Sequence, residues 1–283
     1  MSLHTYADRC ATDAIVIPPT AVGPVALKSQ SLDDLIELLG GDAPRAGGFE
    51  SPWLPVWRIK AGHTLAHERA PLGYVYIVRG GVFKSSRMWE DGYEHVLGFA
   101  SRGELIGFDG LYCGAYLESV IALDDATVYA LPVDELARLR REAPQFERVL
   151  QMAVSRQLAY AAQIAEVLVA VAADTRMARF LLMYSRRMVE RGESARRLHL
   201  PMPRRDLANL LGVACETVSR SLMALVMAGQ LRVDNREIEI LDLPGLIERT
   251  RTTRRVRGEA AHGASPSRRP REAGPGRDRA SAH

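Results

Sequence analysis

Short apolar runs separated by glycine turns fill the middle of the chain, from residue 53 to residue 132. These runs are rich in β-branched and aromatic side chains, which favour strands. The runs predict strands at residues 56–59, 74–78, 82–84, 95–99, 119–122 and 126–131. We therefore expect residues 51–143 to form a compact antiparallel β-roll, preceded by an extension over residues 1–50.

That extension contains one helical pattern between Pro- and Gly-rich segments. Ser31 is a suitable N-cap for a helix over residues 31–39, and Gly40 and Gly41 would end it. The rest of the extension is expected to be irregular.

Two helical patterns joined by a glycine lie nearer the C-terminal end, over residues 203–222. Pro203 suits the start of the first helix, and leucines at helical spacing continue it as far as Gly212. The second helix begins near Ala214 and places its apolar side chains three or four residues apart. This arrangement predicts a helix-turn-helix, a motif that places its second helix in the major groove of DNA.

The polar face of that second helix carries Glu216, Ser219 and Arg220. Arginine can donate two parallel hydrogen bonds to guanine, an ionised glutamate accepts from the cytosine amino group, and serine is small enough to meet a thymine methyl. Glu216 and Arg220 could instead form an ordinary i,i+4 ion pair on a solvated helix. The helix-turn-helix context favours base reading by all three residues.

Arg204, Arg205 and Thr217 are the candidate contacts to DNA phosphate. The two arginines stand at the start of the first helix, where the backbone of a docked duplex would pass. Plain solvent exposure is the alternative explanation for them.

A long helical pattern over residues 144–173 precedes the helix-turn-helix. Its apolar positions alternate in steps of four and three, as in the seam of a coiled coil, although such a stripe could also pack on the chain's own roll. Dimerisation is favoured because a twofold axis would present two recognition helices to half-sites about one DNA turn apart. The predicted seam residues are Leu150, Val154, Ala161, Ile164 and Leu168.

After the recognition helix, residues 230–233 and 237–240 flank a polar turn and predict a small wing, which completes a domain over residues 174–248. Residues 249–283 hold ten arginines and three acidic residues, a local charge of +7 within a net charge of +3. We expect a disordered basic tail there, which either adds salt-sensitive attraction to phosphate or has no specific role.

These elements predict an α+β fold with an N-terminal antiparallel β-roll, a long dimerisation helix and a C-terminal winged helix-turn-helix. The composition, 47% apolar and 25% charged, is typical of a soluble globular protein. Without an export signal or a long apolar run, the chain is expected in the cytoplasm with no membrane partner. Its three widely separated cysteines are expected to be free thiols.

Residues 174–242 resemble the DNA-binding domain of the Crp/Fnr superfamily of bacterial transcription regulators, and the run Glu216-Thr217-Val218-Ser219-Arg220 resembles its Fnr branch. Residues 60–65, 76–84 and 103–109 are similar to turns of the cyclic-nucleotide-binding-type β-roll, a jelly roll, in the same superfamily. The resemblance implies that the glutamate, serine and arginine read an inverted repeat of TTGAT type. Since Cys215 stands where the catabolite-activator branch has an additional arginine, a TGTGA-like half-site is disfavoured.

The residues that define the sensors of these two branches are missing here. A cyclic-nucleotide roll would have a glutamate where this chain has Phe108, and an arginine near Glu118, whose carboxylate would repel a phosphate. An iron-sulfur protein of the Fnr branch would use four cysteines, but Cys10 stands alone near the N-terminus and Tyr129 occupies the place of the last ligand. Neither cyclic AMP nor a cluster is expected, so the chain resembles FixK-like or denitrification-regulator-like proteins.

Two further candidates for sensing remain. Haem remains an alternative cofactor, with His63, His67 and His95 as its candidate ligands, although surface histidines are the simpler explanation. No other metal site is expected. Cys215 begins the recognition helix, where the helix dipole and the nearby arginines would favour a thiolate, and its oxidation would place bulk or negative charge against phosphate. A small helix residue without a redox role is the alternative for Cys215.

The sequence accordingly predicts a homodimeric activator that binds TTGAT-like inverted repeats and acts with RNA polymerase. A role in low-oxygen or nitrogen-oxide metabolism is implied by the resemblance alone. The alternative is a regulator whose roll binds haem or another small molecule other than cyclic AMP. The sequence contains neither a phosphate-binding glycine loop nor a nucleophile motif, so we do not expect an enzyme.

Overall fold

Two antiparallel sheets form a roll in the first part of the computed structural model, which describes residues 25–42 and 52–251. The first sheet contains five strands, in the order Val25–Ser31 (β1), Trp53–Ile59 (β2), Ala126–Pro132 (β9), Tyr74–Gly80 (β4) and Leu105–Ile106 (β7). The second contains four, in the order Thr64–Ala66 (β3), Ser119–Ala122 (β8), Phe83–Met88 (β5) and Glu94–Ala100 (β6). All six strands predicted from the sequence are present, so the predicted antiparallel roll is confirmed.

Strand β1 corrects the prediction that the extension is irregular outside its helix. It pairs with β2 in a register that runs from Val25 opposite Arg58 to Ser31 opposite Trp53. Its sequence shows little apolar alternation, so tertiary pairing with β2 rather than a local pattern decides this strand.

The helix predicted in the extension is present as Leu32–Leu38 (α1). The Ser31 hydroxyl accepts a hydrogen bond from the Asp34 amide at 3.2 Å, and the Asp34 carboxylate accepts one from the Ser31 amide at 3.0 Å. This reciprocal capping satisfies two amides that a helix start would otherwise leave without a partner. Residues 1–24 and the predicted basic tail after residue 251 lie outside the described residues.

Two helices follow the roll, Val133–Glu142 (α2) and the long Pro144–Val169 (α3). The C-terminal domain begins at Ala173 and contains the helices Ala173–Glu190 (α4), Arg204–Leu211 (α5), Cys215–Met227 (α6) and Leu243–Thr250 (α7). Its three-stranded sheet has the order Arg197–His199 (β10), Glu237–Ile240 (β12) and Leu231–Asp234 (β11). Strands β11 and β12 form the predicted wing.

Three apolar clusters hold these elements together. One fills the interior of the roll between its two sheets. A second packs α1 and the first half of α3 against the five-stranded sheet. The third fills the C-terminal domain and takes in Val96 and Phe99 of β6. Because β6 belongs to the roll, the third cluster fixes the roll to the C-terminal domain.

The burial of α3 corrects the predicted dimer seam at one position. Leu150 is only 1% exposed and packs in the chain's own second cluster, because the first half of α3 lies on the roll. Val154 and Ile164 are half-buried against intramolecular clusters, whereas Ala161 and Leu168 are exposed. Leu150 therefore has no surface to offer to a partner helix.

In the described part of the chain, no single helix is long and apolar enough to span a bilayer. Helices α5 and α6 are long and apolar enough only when they are taken together, and the chain bends by 94° at the break between them.

Candidate DNA-binding site

The turn between α5 and α6 is built as the sequence predicts. Gly212 ends α5 in the left-handed region, with φ of 61°, a conformation that favours glycine because a side chain strains it. The Arg176 guanidinium donates hydrogen bonds to the carbonyls of Leu211, at 2.8 Å, and Gly212, at 3.3 Å. These bonds satisfy carbonyls that the end of α5 leaves free and fix the angle at which α6 leaves the turn.

Helix α6 divides into a buried and an exposed face. Val218, Ser221, Leu222 and Leu225 are buried in the third cluster or beside it, whereas the predicted base-reading side chains are exposed: Glu216, Ser219 and Arg220. Among the described residues, no ion pair joins Glu216 to Arg220. Their carboxylate and guanidinium groups are therefore both available to a ligand that lies along this face.

Two methionines extend the same face and were missed by the sequence reasoning. Met223 is 59% exposed and Met227 is 81% exposed. Both continue the three- and four-residue spacing that begins at Glu216, so this spacing could have identified them. Their flexible apolar side chains suit contact with thymine methyl groups or sugar.

The candidate phosphate residues differ in what they already contact. Arg204 is half-buried, and its Nη2 donates a hydrogen bond to the Asn235 carbonyl at 2.7 Å. Burial lowers the pKa of the Arg204 guanidinium, while the neighbouring Cys215 thiol acts in the opposite direction. Arg205 is exposed and Thr217 is half-buried. Arg204 therefore joins α5 to the turn of the wing, a role that sequence spacing did not reveal.

A polar clamp joins the β5–β6 hairpin of the roll to α5. The amide of Val96 donates to Asn209 Oδ1 at 2.8 Å, and Asn209 Nδ2 donates to the Glu94 carbonyl. Lys84 Nζ lies 2.8 Å from Glu94 Oε1 and 3.5 Å from Asp206 Oδ1, with the lysine side chain only 11% exposed.

The clamp places the Lys84 cation between two carboxylates, those of Glu94 and Asp206. Burial acts to raise the pKa of Glu94, but hydrogen bonds from Lys84 and Ser86 outweigh it and hold that pKa below its usual value. Glu94 therefore remains ionised against a buried cation. Residues more than a hundred positions apart meet here, so local sequence patterns give no signal for the clamp.

A cavity of about 410 Å³ lies between the roll and α3. Phe108, Asp109 and Glu118 line it, and its described lining contains no cationic side chain. Burial, together with the neighbouring Asp109 carboxylate, raises the pKa of Glu118 to about 7, although Ser85 and Arg87 act against this rise. Burial also raises the pKa of Asp109. The cavity is thus apolar with an acidic end, which disfavours phosphate.

The candidate haem ligands are not brought together with other metal-binding side chains. His63 Nδ1 lies 3.4 Å from the Ala61 carbonyl, and the His95 ring lies 5.9 Å from the rings of Trp89 and Tyr93. Within the described ranges, no group of three or more His, Cys, Asp or Glu side chains is placed to hold a metal ion. Cys113 and Cys215 are free thiols, and Cys215 is exposed at the first position of α6.

Comparison with known proteins agrees with this architecture. Residues 175–249 match the family model of the Crp-like helix-turn-helix domain, and residues 56–143 match that of the cyclic nucleotide-binding domain. The transcriptional activator protein anr of Pseudomonas aeruginosa is 32% identical over 219 residues, which cover 77% of this chain and 84% of that protein. This chain belongs to the Crp/Fnr family of transcription regulators.

Other Crp/Fnr proteins show the same likeness. The fumarate and nitrate reduction regulatory protein of Escherichia coli is 31% identical, over 70% of this chain and 79% of its own. The solved structure of FixK2 from Bradyrhizobium japonicum superposes with a TM-score of 0.61 at 27% identity, covering 68% of this chain and 95% of that one. The chain is thus a DNA-binding Crp/Fnr-type transcription regulator and not an enzyme.

Proposed function

We propose that this Crp/Fnr regulator binds inverted repeats of TTGAT type through Glu216, Ser219 and Arg220. The observation that carries the proposal is the exposed face of α6, where these side chains are free to meet base edges. A fluorescence-anisotropy titration with a TTGAT palindrome and a matched TGTGA palindrome tests it. The TTGAT duplex should bind more tightly at equal salt. Because the phosphate contacts are common to both duplexes, the difference in affinity between them reports base recognition.

The proposed active species is a homodimer, joined along α3. Leu150 is excluded from the seam, and Ala165 takes the place of Ile164, which packs against the third cluster. The proposed seam is the stripe Val154, Leu158, Ala161, Ala165 and Leu168. Leu158, which the sequence reasoning missed, is 69% exposed. Steps of four and three along this stripe are those of a two-stranded coiled coil. A twofold axis along α3 would relate two α6 helices, as an inverted repeat requires.

The proposed role is activation with RNA polymerase in the cytoplasm, in low-oxygen or nitrogen-oxide metabolism. It rests on the relatives, one of which is named for the regulation of fumarate and nitrate reduction. Arg204, Arg205 and Thr217 are proposed to contact phosphate on either side of the bases that are read.

A second candidate is a regulator that depends on a ligand in the cavity beside α3. The size of the cavity suits a small molecule, and the carboxylates of Asp109 and Glu118 favour a neutral or cationic group over a phosphate. An absorbance spectrum and native mass spectrometry of the purified protein test this candidate. A haem Soret band or a co-purifying ligand would support this candidate. A native mass equal to that of the protein alone, together with full operator affinity, would eliminate it.

A further inference from the structure

A second cavity, of about 570 Å³, lies where the roll, α3 and the C-terminal domain meet. Its walls come from the end of α1, the turn before β7, one face of α3 and the second half of α4. The volume is within the usual range for small-molecule sites. The lining residues of this cavity lie on a different face of α3 from the proposed dimer seam.

The walls of this junction cavity are unusually rich in guanidinium groups. Five arginines line it, namely Arg102, Arg156, Arg186, Arg187 and Arg191. Three carboxylates face them, those of Glu37, Glu104 and Glu190. The cavity therefore has an excess of positive charge.

Two of the five arginines are committed to the fold. Arg187 is buried, forms an ion pair with Glu104 and lies with its guanidinium carbon 3.7 Å from the centre of the Tyr160 ring. Arg191 donates to Ser101 Oγ at 2.6 Å and pairs with Glu193 at 3.1 Å. These bonds occupy much of the donor capacity of the Arg187 and Arg191 guanidinium groups and hold both side chains in the wall of the cavity.

The other three arginines have no carboxylate partner among the described residues. Arg102 donates to the Arg79 carbonyl at 3.2 Å and Arg156 donates to the Leu39 carbonyl at 2.9 Å, whereas the Arg186 side chain forms no hydrogen bond with any residue that the structure describes. Each guanidinium has five N–H groups, so most of their donors remain free. These three arginines and the remaining carboxylates, Glu37 and Glu190, are all exposed to solvent, and two carboxylates balance only part of the charge of three arginines.

We propose that the junction cavity binds a compact phosphorylated small molecule. Guanidinium groups match phosphate oxygens with paired hydrogen bonds, and several guanidiniums that line one cavity favour an anion with more than one charge. Arg102 belongs to the roll, Arg156 to α3 and Arg186 to α4. A bound anion that accepts from all three ties the C-terminal domain to the roll and, given the proposed DNA recognition, strengthens operator binding.

Calorimetric titration of the full-length protein with inorganic pyrophosphate, without DNA, tests the site. We expect one binding site per chain, and a loss of affinity of about tenfold or more in Arg186→Gln, because a charge-assisted bond is removed. The variant Arg156→Gln/Arg186→Gln should bind more weakly still. The Arg186 side chain is exposed and has no hydrogen bond or ion pair with the described residues to lose, so Arg186→Gln separates ligand binding from folding.

Two controls decide where the anion binds. Arg141→Gln removes an exposed arginine outside the cavity and should leave the affinity unchanged. Arg205→Gln/Arg220→Gln removes two exposed arginines of the candidate DNA-binding surface and should also leave it unchanged. Absence of pyrophosphate binding, or binding that survives in Arg156→Gln/Arg186→Gln but disappears in Arg205→Gln/Arg220→Gln, overturns the proposed site.

Operator affinity is measured separately, with and without pyrophosphate at constant ionic strength. We expect tighter binding to the TTGAT duplex with pyrophosphate, and no such change in Arg186→Gln. Pyrophosphate bound in the cavity without any effect on operator affinity would contradict the coupling. Pyrophosphate binding that persists in a protein with no preference for TTGAT would contradict the proposed recognition while leaving the cavity site intact.

Discussion

At the scale of single residues, the cavity beside α3 contains the side chain with the clearest electrostatic cost. Glu118 is held among apolar groups and next to Asp109, and these surroundings raise its pKa to about 7. A carboxyl whose pKa is raised by folding binds more protons in the folded state than in the unfolded state. Glu118 therefore lowers the free energy of unfolding by an amount that grows as the pH rises from about 5 to 7 and is constant at higher pH.

The variant Glu118→Gln removes this cost. Its free energy of unfolding should exceed that of the wild type by about 1 to 3 kcal/mol at pH 8, with a much smaller difference at pH 5. Urea unfolding at both pH values measures the difference. Glu90→Gln, at an exposed position, controls for the loss of one charge. A gain that is the same at both pH values would show that burial of a carboxylate is not its cause.

Cys215 is the other residue with a testable chemistry. Its thiol is exposed at the start of α6, close enough to Arg204 to influence that guanidinium. Peroxide treatment should weaken operator binding in the wild type, because an oxidised sulfur adds bulk or negative charge beside phosphate. Cys215→Ser should bind the operator and lose this response, as anisotropy titrations before and after treatment will reveal. An equal response in the variant would eliminate the redox role.

At the scale of elements, the clamp between the β5–β6 hairpin and α5 sets the position of the helix-turn-helix on the roll. Lys84→Met would leave Glu94 and Asp206 without their shared cation in a buried site. It should lower the free energy of unfolding by about 3 kcal/mol. The matched control is Lys60→Met, which breaks the exposed pair between Lys60 and Asp125 and should lower the free energy of unfolding far less, because solvent screens that pair. Equal losses in the two variants would contradict the importance of burial in the clamp.

Helix α3 carries the prediction about association. Leu158→Glu places a charge in the middle of the proposed seam and should convert a dimer into a monomer in sedimentation equilibrium, with the helical content retained. Met152→Glu, at an exposed apolar position of α3 outside the stripe, should remain dimeric. A dimeric Leu158→Glu protein, or a monomeric wild type, would contradict the seam.

The contrast between α3 and the wing shows what the sequence could predict. The wing strands, the turn at Gly212 and the exposed face of α6 follow local patterns, so their prediction needed only spacing and turn chemistry. Leu150 fits the periodicity of a seam equally well, but periodicity does not distinguish the chain's own core from a partner. The clamp at Lys84 and the junction cavity depend on contacts between distant segments, which no local pattern specifies.

At the scale of the whole molecule, three parts meet at shared surfaces. The third apolar cluster joins β6 to the C-terminal domain, and the junction cavity opens between the roll, α3 and α4. The position of α6 relative to the roll therefore depends on contacts that all three parts contribute. The orientation of the recognition helix is consequently a property of the whole chain, and recognition is best measured on the full-length protein.

Selection of binding sites from random duplexes by the whole chain tests whether Glu216, Ser219 and Arg220 read an inverted repeat of TTGAT type. We expect two TTGAT-like half-sites in inverted orientation. We also expect Arg220→Ala to lose discrimination at one base pair per half-site, by about 1 to 3 kcal/mol. Selection of TGTGA-like half-sites, of single half-sites, or of the same sequences by Arg220→Ala would contradict this recognition.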